Sequence, residues 1–252
     1  MSANRPFVLT IAGFDPSGGA GILADIKTFE QHQVYGLGIM SGNTLQTEEA
    51  FHAMHWTDID FVLQSIQTLF KKYEIKVVKI GIMPSLEYLQ SCIAEIRKQS
   101  TQVKIIWDTV LKSTTNFNFI TVESQAVLLG ILKQIDLITP NYIEILKLTS
   151  QQNTPENNAQ MLSNYCAVLL KGGHNSAALG TDYLYRQNNR ITLSPNLSTV
   201  IEKHGSGCVL SSAIAANMAL GFSLETSCQK SKQYIENYLN TNNTLLGYHH
   251  AK

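Results

Sequence analysis

Charge is scarce in this chain and it is balanced. In 252 residues, 19 Lys plus Arg stand against 19 Asp plus Glu, and charged side chains make up only 15% of the total. A formal net charge of zero offers no broad attraction to phosphate backbones or anionic lipid, which counts against nucleic acid and membrane surfaces as partners. Cysteine is scarce as well. Cys92, Cys166, Cys208 and Cys228 are scattered, without the paired spacing of a zinc site or a disulfide framework, and a reducing compartment is expected. No run approaches the ~20 apolar residues of a spanning helix. Met1 to Pro6 also lack the charged start and apolar run of a signal peptide, so the expected location is the cytoplasm. Internal repeats and low-complexity tracts are absent, and the one polar, loop-like stretch, Thr149 to Asn158, is too short for a domain linker.

What is present is the composition of an ordinary globular protein, 44% apolar with 16 Gly. A single domain over residues 1–252 is expected, with its ordered core at about 6–245 and His249, His250 and Lys252 as a frayed tail. Apolar, β-rich runs alternate with segments of helical period: Phe7–Ala12 then Ile22–Gln33, Val77–Ile80 then Leu86–Lys98, Val103–Trp107 then Val122–Lys133, and Leu137–Thr139 then Tyr142–Leu148. Ala167–Leu170 follows, then a hairpin of Tyr183–Tyr185 with Ile191–Leu193, and two closing helices, Cys208–Leu220 and Ser223–Leu239. Strands that are continuously apolar rather than alternating imply a mostly parallel, doubly wound α/β sheet covered by helices on both faces.

Six of these runs stop at polar or glycine clusters: Gly13-Phe14-Asp15, Asn43-Thr44-Leu45-Gln46, Gly81-Ile82-Met83, Asp108-Thr109-Val110, Thr139-Pro140-Asn141 and Lys171-Gly172-Gly173-His174. Any one of them could be an ordinary turn. Six together mark a site, because ligands of open α/β sheets bind outside the carboxyl ends of the strands.

The sharpest local signal is His204-Gly205-Ser206-Gly207-Cys208, a glycine pair running straight into a small-residue helix. Free N–H groups and the helix dipole there suit an anion, although a turn before a tightly packed core helix would have the same sequence. Cys208 at that terminus is expected to have a lowered thiol pKa, as a nucleophile or general base, unless it is simply a small buried side chain, and His204 could serve it as base in a thiol hydrolase. Asp15-Pro16-Ser17-Gly18-Gly19-Ala20-Gly21 is a second glycine-rich entry to a helix, with Asp25 one turn in. It is neither a Walker loop nor a dinucleotide fingerprint. Asn141 and Glu144, three apart at a helix start, could hold a hydrated divalent ion, and Lys171 could neutralise phosphate. A surface helix start and a solvated lysine would look the same.

Taken in order, these motifs, from Ala12-Gly13-Phe14-Asp15 to Gly205-Ser206-Gly207-Cys208, resemble the hydroxymethylpyrimidine/phosphomethylpyrimidine kinases of thiamine biosynthesis over residues 7 to about 240. The Gly-Ser-Gly-Cys ending, in place of Gly-x-Gly-Asp, distinguishes this branch from sugar kinases of the same ribokinase-like superfamily. The resemblance implies a three-layer α/β/α fold with a mostly parallel central sheet. It also implies ATP- and Mg2+-dependent phosphorylation of 4-amino-5-hydroxymethyl-2-methylpyrimidine and then of its monophosphate. Gly13, Asp25 and Gln46 would contact the pyrimidine, and Thr44, Met83 and Val110 would line its ring. Gly205, Ser206, Gly207 and Cys208 match the anion hole, with Cys208 in the place of the base. Asp108, Asn141 and Glu144 would organise magnesium and its waters, Lys171 would face the nucleotide phosphates, and a homodimer is expected. The chain departs from the family at Thr47-Glu48-Glu49, at Leu111-Lys112-Ser113-Thr114-Thr115-Asn116, and at Gly247-Tyr248-His249-His250, where Gly-His-Gly-Pro is common. A pyridoxal or pyridoxine kinase of the same superfamily and a non-catalytic pyrimidine-binding regulator are the alternatives.

Overall fold

Adjacent residues of a strand face opposite sides of its sheet, so a strand apolar at every position needs cover on both faces. The structure, a computed structural model, describes residues 4–112, 119–149, 153–175, 177–197 and 201–250. Among these residues nine strands form one sheet: β1 (Phe7–Phe14), β2 (Tyr35–Gln46), β3 (Phe51–Trp56), β4 (Ile75–Ile80), β5 (Lys104–Trp107), β6 (Leu137–Ile138), β7 (Ala167–Leu170), β8 (Asp182–Arg186) and β9 (Asn189–Leu193). The helices are α1 (Gly21–Gln31), α2 (Ile59–Lys72), α3 (Leu86–Gln99), α4 (Gln125–Leu132), α5 (Tyr142–Leu148), α6 (Pro155–Leu162), α7 (Ser206–Ala219) and α8 (Leu224–Leu239). Val8, Val77, Ile106 and Leu137 pack with residues of α1, α7 and α8. Their neighbours Leu9, Val78, Ile105 and Ile138 pack with residues of α2 to α6. The result is the expected three-layer α/β/α arrangement.

The strand order is β3-β2-β1-β4-β5-β6-β7-β8-β9. Strands β2, β1 and β4 to β7 run parallel, whereas β3, β8 and β9 are antiparallel to their neighbours. From β1 the chain builds outward to β2 and β3 and then returns to lay β4 on the other side of β1. The chain therefore diverges from the carboxyl ends of β1 and β4 to opposite faces of the sheet, into α1 and α3, and Gly13 and Gly81 stand where it does so. Strand reversal of this kind is where open α/β sheets bind ligands.

Helix starts follow their capping residues. The side chains of Asp58, Ser85, Ser124, Thr154 and Ser223 each accept a backbone N–H in the first turn of α2, α3, α4, α6 and α8. The structure departs from the sequence expectation at several places. Strand β3, helix α2 and all but the end of β2 fall outside it, and α4 starts at Gln125 rather than Val122. Helix α6 begins within the stretch expected to be a loop, because Thr154 and Pro155 form an N-cap and first-turn proline. The chain end is docked rather than frayed through His249, whereas His250 is exposed. His204 N–H donates to the Leu245 carbonyl at 2.9 Å. Lys203 Nζ donates to the carbonyls of Asn242 and Thr244. The Tyr234 hydroxyl meets His249 Nδ1 at 2.9 Å. Lys252 lies outside the described residues. Among the described residues no helix is long and apolar enough to cross a membrane.

Candidate active site

Two glycine-rich loops from opposite ends of the chain interlock above the carboxyl ends of β1 and β4. Gly205, the N-cap of α7, has φ +73°, and a Cβ there would stand 2.0 Å from the Gly19 carbonyl oxygen. Gly21 begins α1 with φ +58°, and its Cβ would stand 2.1 Å from the Gly13 carbonyl oxygen. Both positions require glycine for conformation and for space. The Asp15 carboxylate organises this junction. It accepts the Ser17 and Ala20 N–H groups, the Ser17 hydroxyl and His204 Nε2, the last at 3.0 Å. Burial pushes the Asp15 pKa up, but the hydrogen bonds from His204, Ser17 and Ala20 outweigh it and hold the carboxyl below its usual range. Asp15 thus orients His204, and none of the groups acting on the Cys208 thiol is His204. The base of a thiol hydrolase is not what this histidine supplies.

Helix α7 begins two residues earlier than expected, at Ser206, so Gly207 and Cys208 lie inside its first turn. Their N–H groups have no acceptor among the described residues. With the helix dipole behind them they form an anion cradle. The helix is buried all round from Val209 to Asn217, and its two buried serines serve one carboxylate just beyond β5 and one on α1. Ser211 donates to Asp108 Oδ2 at 3.1 Å and Ser212 to Asp25 Oδ1 at 2.7 Å.

Asp25 and Met83, which the resemblance places around the pyrimidine, lie beneath the cavity lining rather than on it. Met83 is completely buried in the core on the α2–α6 side and does not line the cavity. Asp25 is likewise buried, its carboxylate taking Thr10 Oγ1 at 2.6 Å, Ser212, and Lys79 Nζ at 2.9 Å. Lys79 was not singled out in the sequence. Its signal was a lysine within the otherwise continuous apolar end of β4, Val77-Val78-Lys79-Ile80. Burial favours the neutral amine, yet Asp25, with Cys208 and Asp108, holds Lys79 charged well above the usual lysine range.

Lys171 ends β7 and reaches the cradle from the other side: a Cβ on Gly207 would lie 3.3 Å from its Nζ. The ammonium sits between Asp108 Oδ1 at 3.2 Å and Glu144 Oε2 at 3.7 Å. Burial would lower the Lys171 pKa, but these two carboxylates more than offset it and raise it. Burial pushes Asp108 up while Lys171 and Lys79 pull it below its usual range; burial also raises Glu144, with Asp108 adding to the rise. Asn141 and Glu144 form a capping box at the start of α5, Asn141 Oδ1 accepting the Ile143 and Glu144 N–H groups and Glu144 Oε2 the Asn141 N–H. Asp108 does not open onto the cavity; its oxygens are taken by Thr139, Lys171 and Ser211.

A cavity of about 910 Å³ runs along this edge. In strand order its lining passes from Thr44 and Gln46 of β2, through Gly13, Val110, Asn141 with Glu144, and Lys171, to Asp182 of β8, with Gly205 to Cys208 above. Thr44 is fixed by its hydroxyl donating to the Phe14 carbonyl. Glu48 and Glu49 belong to the turn between β2 and β3 and do not line the cavity. Lys112 does line it, whereas the flap residues Ser113, Thr114, Thr115 and Asn116 lie outside the described residues.

The expected low thiol pKa of Cys208 is overturned. Burial pushes it up to about 11, outweighing Lys79 and the Gly21 N–H, which act in the opposite direction. At pH 7 the thiolate fraction is then on the order of 10⁻⁴. Iodoacetamide should therefore modify Cys208 slowly at neutral pH, with the rate climbing about tenfold per pH unit toward pH 10. Intact-mass kinetics check this, and a rate already at its plateau at pH 7 contradicts it. The buried pair gives a second expectation: Lys79→Met alone should lower unfolding free energy by about 3–5 kcal/mol, and Lys79→Met with Asp25→Leu should recover most of the loss. Urea denaturation decides, and a single variant as stable as the parent argues against the pairing.

These features can be set beside known proteins. The family model described as phosphomethylpyrimidine kinase matches residues 15–252. The hydroxymethylpyrimidine/phosphomethylpyrimidine kinase of Escherichia coli (strain K12) is 30% identical over 246 residues, 94% of this chain and 92% of that protein. The crystal structure of phosphomethylpyrimidine kinase from Clostridium difficile 630 superposes with a TM-score of 0.76 at 27% identity, covering 92% of this chain and 98% of that one. An ADP complex of Bacillus subtilis pyridoxal kinase shares the fold with a TM-score of 0.81 at 23% identity, covering 93% and 92% of the two chains. With the glycine junction, the cradle and the ordered motifs in place along one sheet edge, the chain belongs to the phosphomethylpyrimidine kinase family.

Proposed function

We propose that this chain, as one kinase domain, transfers phosphoryl groups from ATP to 4-amino-5-hydroxymethyl-2-methylpyrimidine and then to its monophosphate. The observation that carries this is the single cavity joining Gln46 and Thr44 at one end to the Gly205–Cys208 cradle and Lys171 further along. Its volume, about 910 Å³, suits a small heterocycle together with a nucleotide. The Gln46 amide offers a donor and an acceptor to an aminopyrimidine edge, with Gly13, Thr44 and Val110 shaping the space around the ring. The N–H groups of Gly207 and Cys208 and the Lys171 ammonium supply the charge stabilisation that phosphoryl transfer chiefly needs. Cys208 stands where the hydroxyl proton would be received, and because burial keeps its thiol protonated at neutral pH only the small thiolate fraction can take that proton.

Magnesium fits the carboxylates here as a nucleotide-borne ion. Among the described residues no three His, Cys, Asp or Glu side chains form a metal cluster. Glu144 lines the cavity, its Oε1 without a partner among the described residues, and Asp108 lies behind Lys171. One or two carboxylates plus phosphates and waters is the usual magnesium environment. Bound there, the ion would neutralise the phosphate oxygens, with Glu144 holding it, Asn141 orienting its waters and Asp108 acting from behind by fixing Lys171 beside it.

The test is ATP turnover with magnesium and hydroxymethylpyrimidine, its monophosphate or pyridoxal, with products identified by mass. Both pyrimidines should turn over, excess EDTA should abolish the reaction, and pyridoxal should be poorer. Cys208→Ala should lower kcat about 10²-fold with little change in pyrimidine affinity. Gln46→Ala should raise KM for the pyrimidine about tenfold. Preference for pyridoxal would move the substrate to the pyridine alcohols, and binding without turnover would make the protein a regulator. The assembly proposed is a homodimer, and light scattering should give about twice the 27.9 kDa chain mass; the mass of one chain would contradict it.

A further inference from the structure

A third pair of buried opposite charges lies at the far end of the cavity, and the chemistry above does not use it. Asp182 and Lys232 are 5% and 8% exposed. Lys232 Nζ, on α8, donates to Asp182 Oδ2 at 2.8 Å. The other carboxylate oxygen, Oδ1, accepts the Gly172 backbone N–H at 2.7 Å. Gly172 follows Lys171 directly and packs closely on the next loop, with no room for a side chain, since a Cβ there would stand 1.8 Å from the Thr181 carbonyl oxygen. Lys232 also donates to the Gly180 carbonyl, and the Gly180 N–H returns to the Gly172 carbonyl at 3.0 Å. On its other side the Lys171 N–H is held by the Pro140 carbonyl at 2.8 Å. A buried ion pair is weak evidence for stability, because desolvation offsets its attraction. What this one does is anchor a backbone N–H, and through it the root of the lysine side chain that ends beside Gly207.

We propose that Asp182 and Lys232 are positioning residues, which act through the Gly172 N–H to hold the Lys171 ammonium at the α7 cradle where nucleotide phosphate is received. The inference rests on the proposed use of ATP in this cleft. A lysine displaced by about an ångström loses much of its value to a phosphate, so the expected signature is confined to the nucleotide.

Titration calorimetry with ATP and magnesium, and separately with hydroxymethylpyrimidine, tests it. Asp182→Asn should weaken ATP binding tenfold or more and leave pyrimidine affinity within twofold. Lys232→Gln should act the same way without altering the Gly172 acceptor, and Lys232→Arg should restore most of the affinity. In a Lys171→Met background Asp182→Asn should add less than a twofold effect, because a residue acting through Lys171 has nothing left to position. ATP affinity unchanged in both Asp182→Asn and Lys232→Gln, or effects that simply add to that of Lys171→Met, overturns the positioning role while the kinase proposal stands. Failure of the unaltered protein to bind ATP removes the kinase proposal, and this one with it.

Discussion

The contact between Gly205 and the Gly19 carbonyl is the constraint on which the rest of the site depends. Residues almost 190 positions apart meet there with no space for a single methyl group, one of them in a left-handed conformation. Because both loops lead into helices, closing the contact aims the first turn of α7 at the cavity. It also brings His204 to Asp15, whose carboxylate in turn fixes the Ser17–Ala20 turn. Cradle and turn are therefore one unit, supported from below by β1 and β4, after which the chain diverges and leaves room for a ligand.

Beneath that unit the protein buries charge in pairs. Lys79 with Asp25, and Lys171 with Asp108, put two ammonium groups and two carboxylates under and beside the cradle. Serines 211 and 212, one helical turn into α7, tie each carboxylate to the same helix. Such an arrangement is expensive to desolvate, and its benefit is register: α7 cannot slide or rotate against the sheet without leaving a carboxylate short of a donor. Support of this kind explains why Asp25 belongs to the active region without touching its cavity.

Much of this was legible in the sequence, for reasons that can be stated residue by residue. Continuous apolar runs such as Val77-Val78 reveal a sheet covered on both faces, and polar clusters at their ends reveal the shared edge, since both are local patterns with a topological meaning. Gly205 was readable because close approach and positive φ demand glycine there. Strand β2 was legible only at its end, because Gly36, Gly38 and Gly42 interrupt the run and its burial alternates. The sign of the Cys208 shift was not legible: the helix terminus is written locally, whereas the burial that overrules it comes from residues distant in sequence. Asp25 and Met83 carried motif positions but not their depth, which depends on how α1 and α3 sit against the sheet.

The docked chain end has a practical side. Residues 242–246 hold Lys203 and His204 through backbone carbonyls, and Leu246 stands against Gly19, where a Cβ would come within 2.8 Å of its Cδ2. Whatever is fused just beyond this segment, an affinity tag or a second enzyme, is attached a few residues from the loops that form the anion cradle. The amino terminus enters β1 at Phe7, at the end of the strand opposite Gly13. Handles for immobilisation or labelling belong at that end, where tension on the linker is borne by the sheet rather than by the glycine junction.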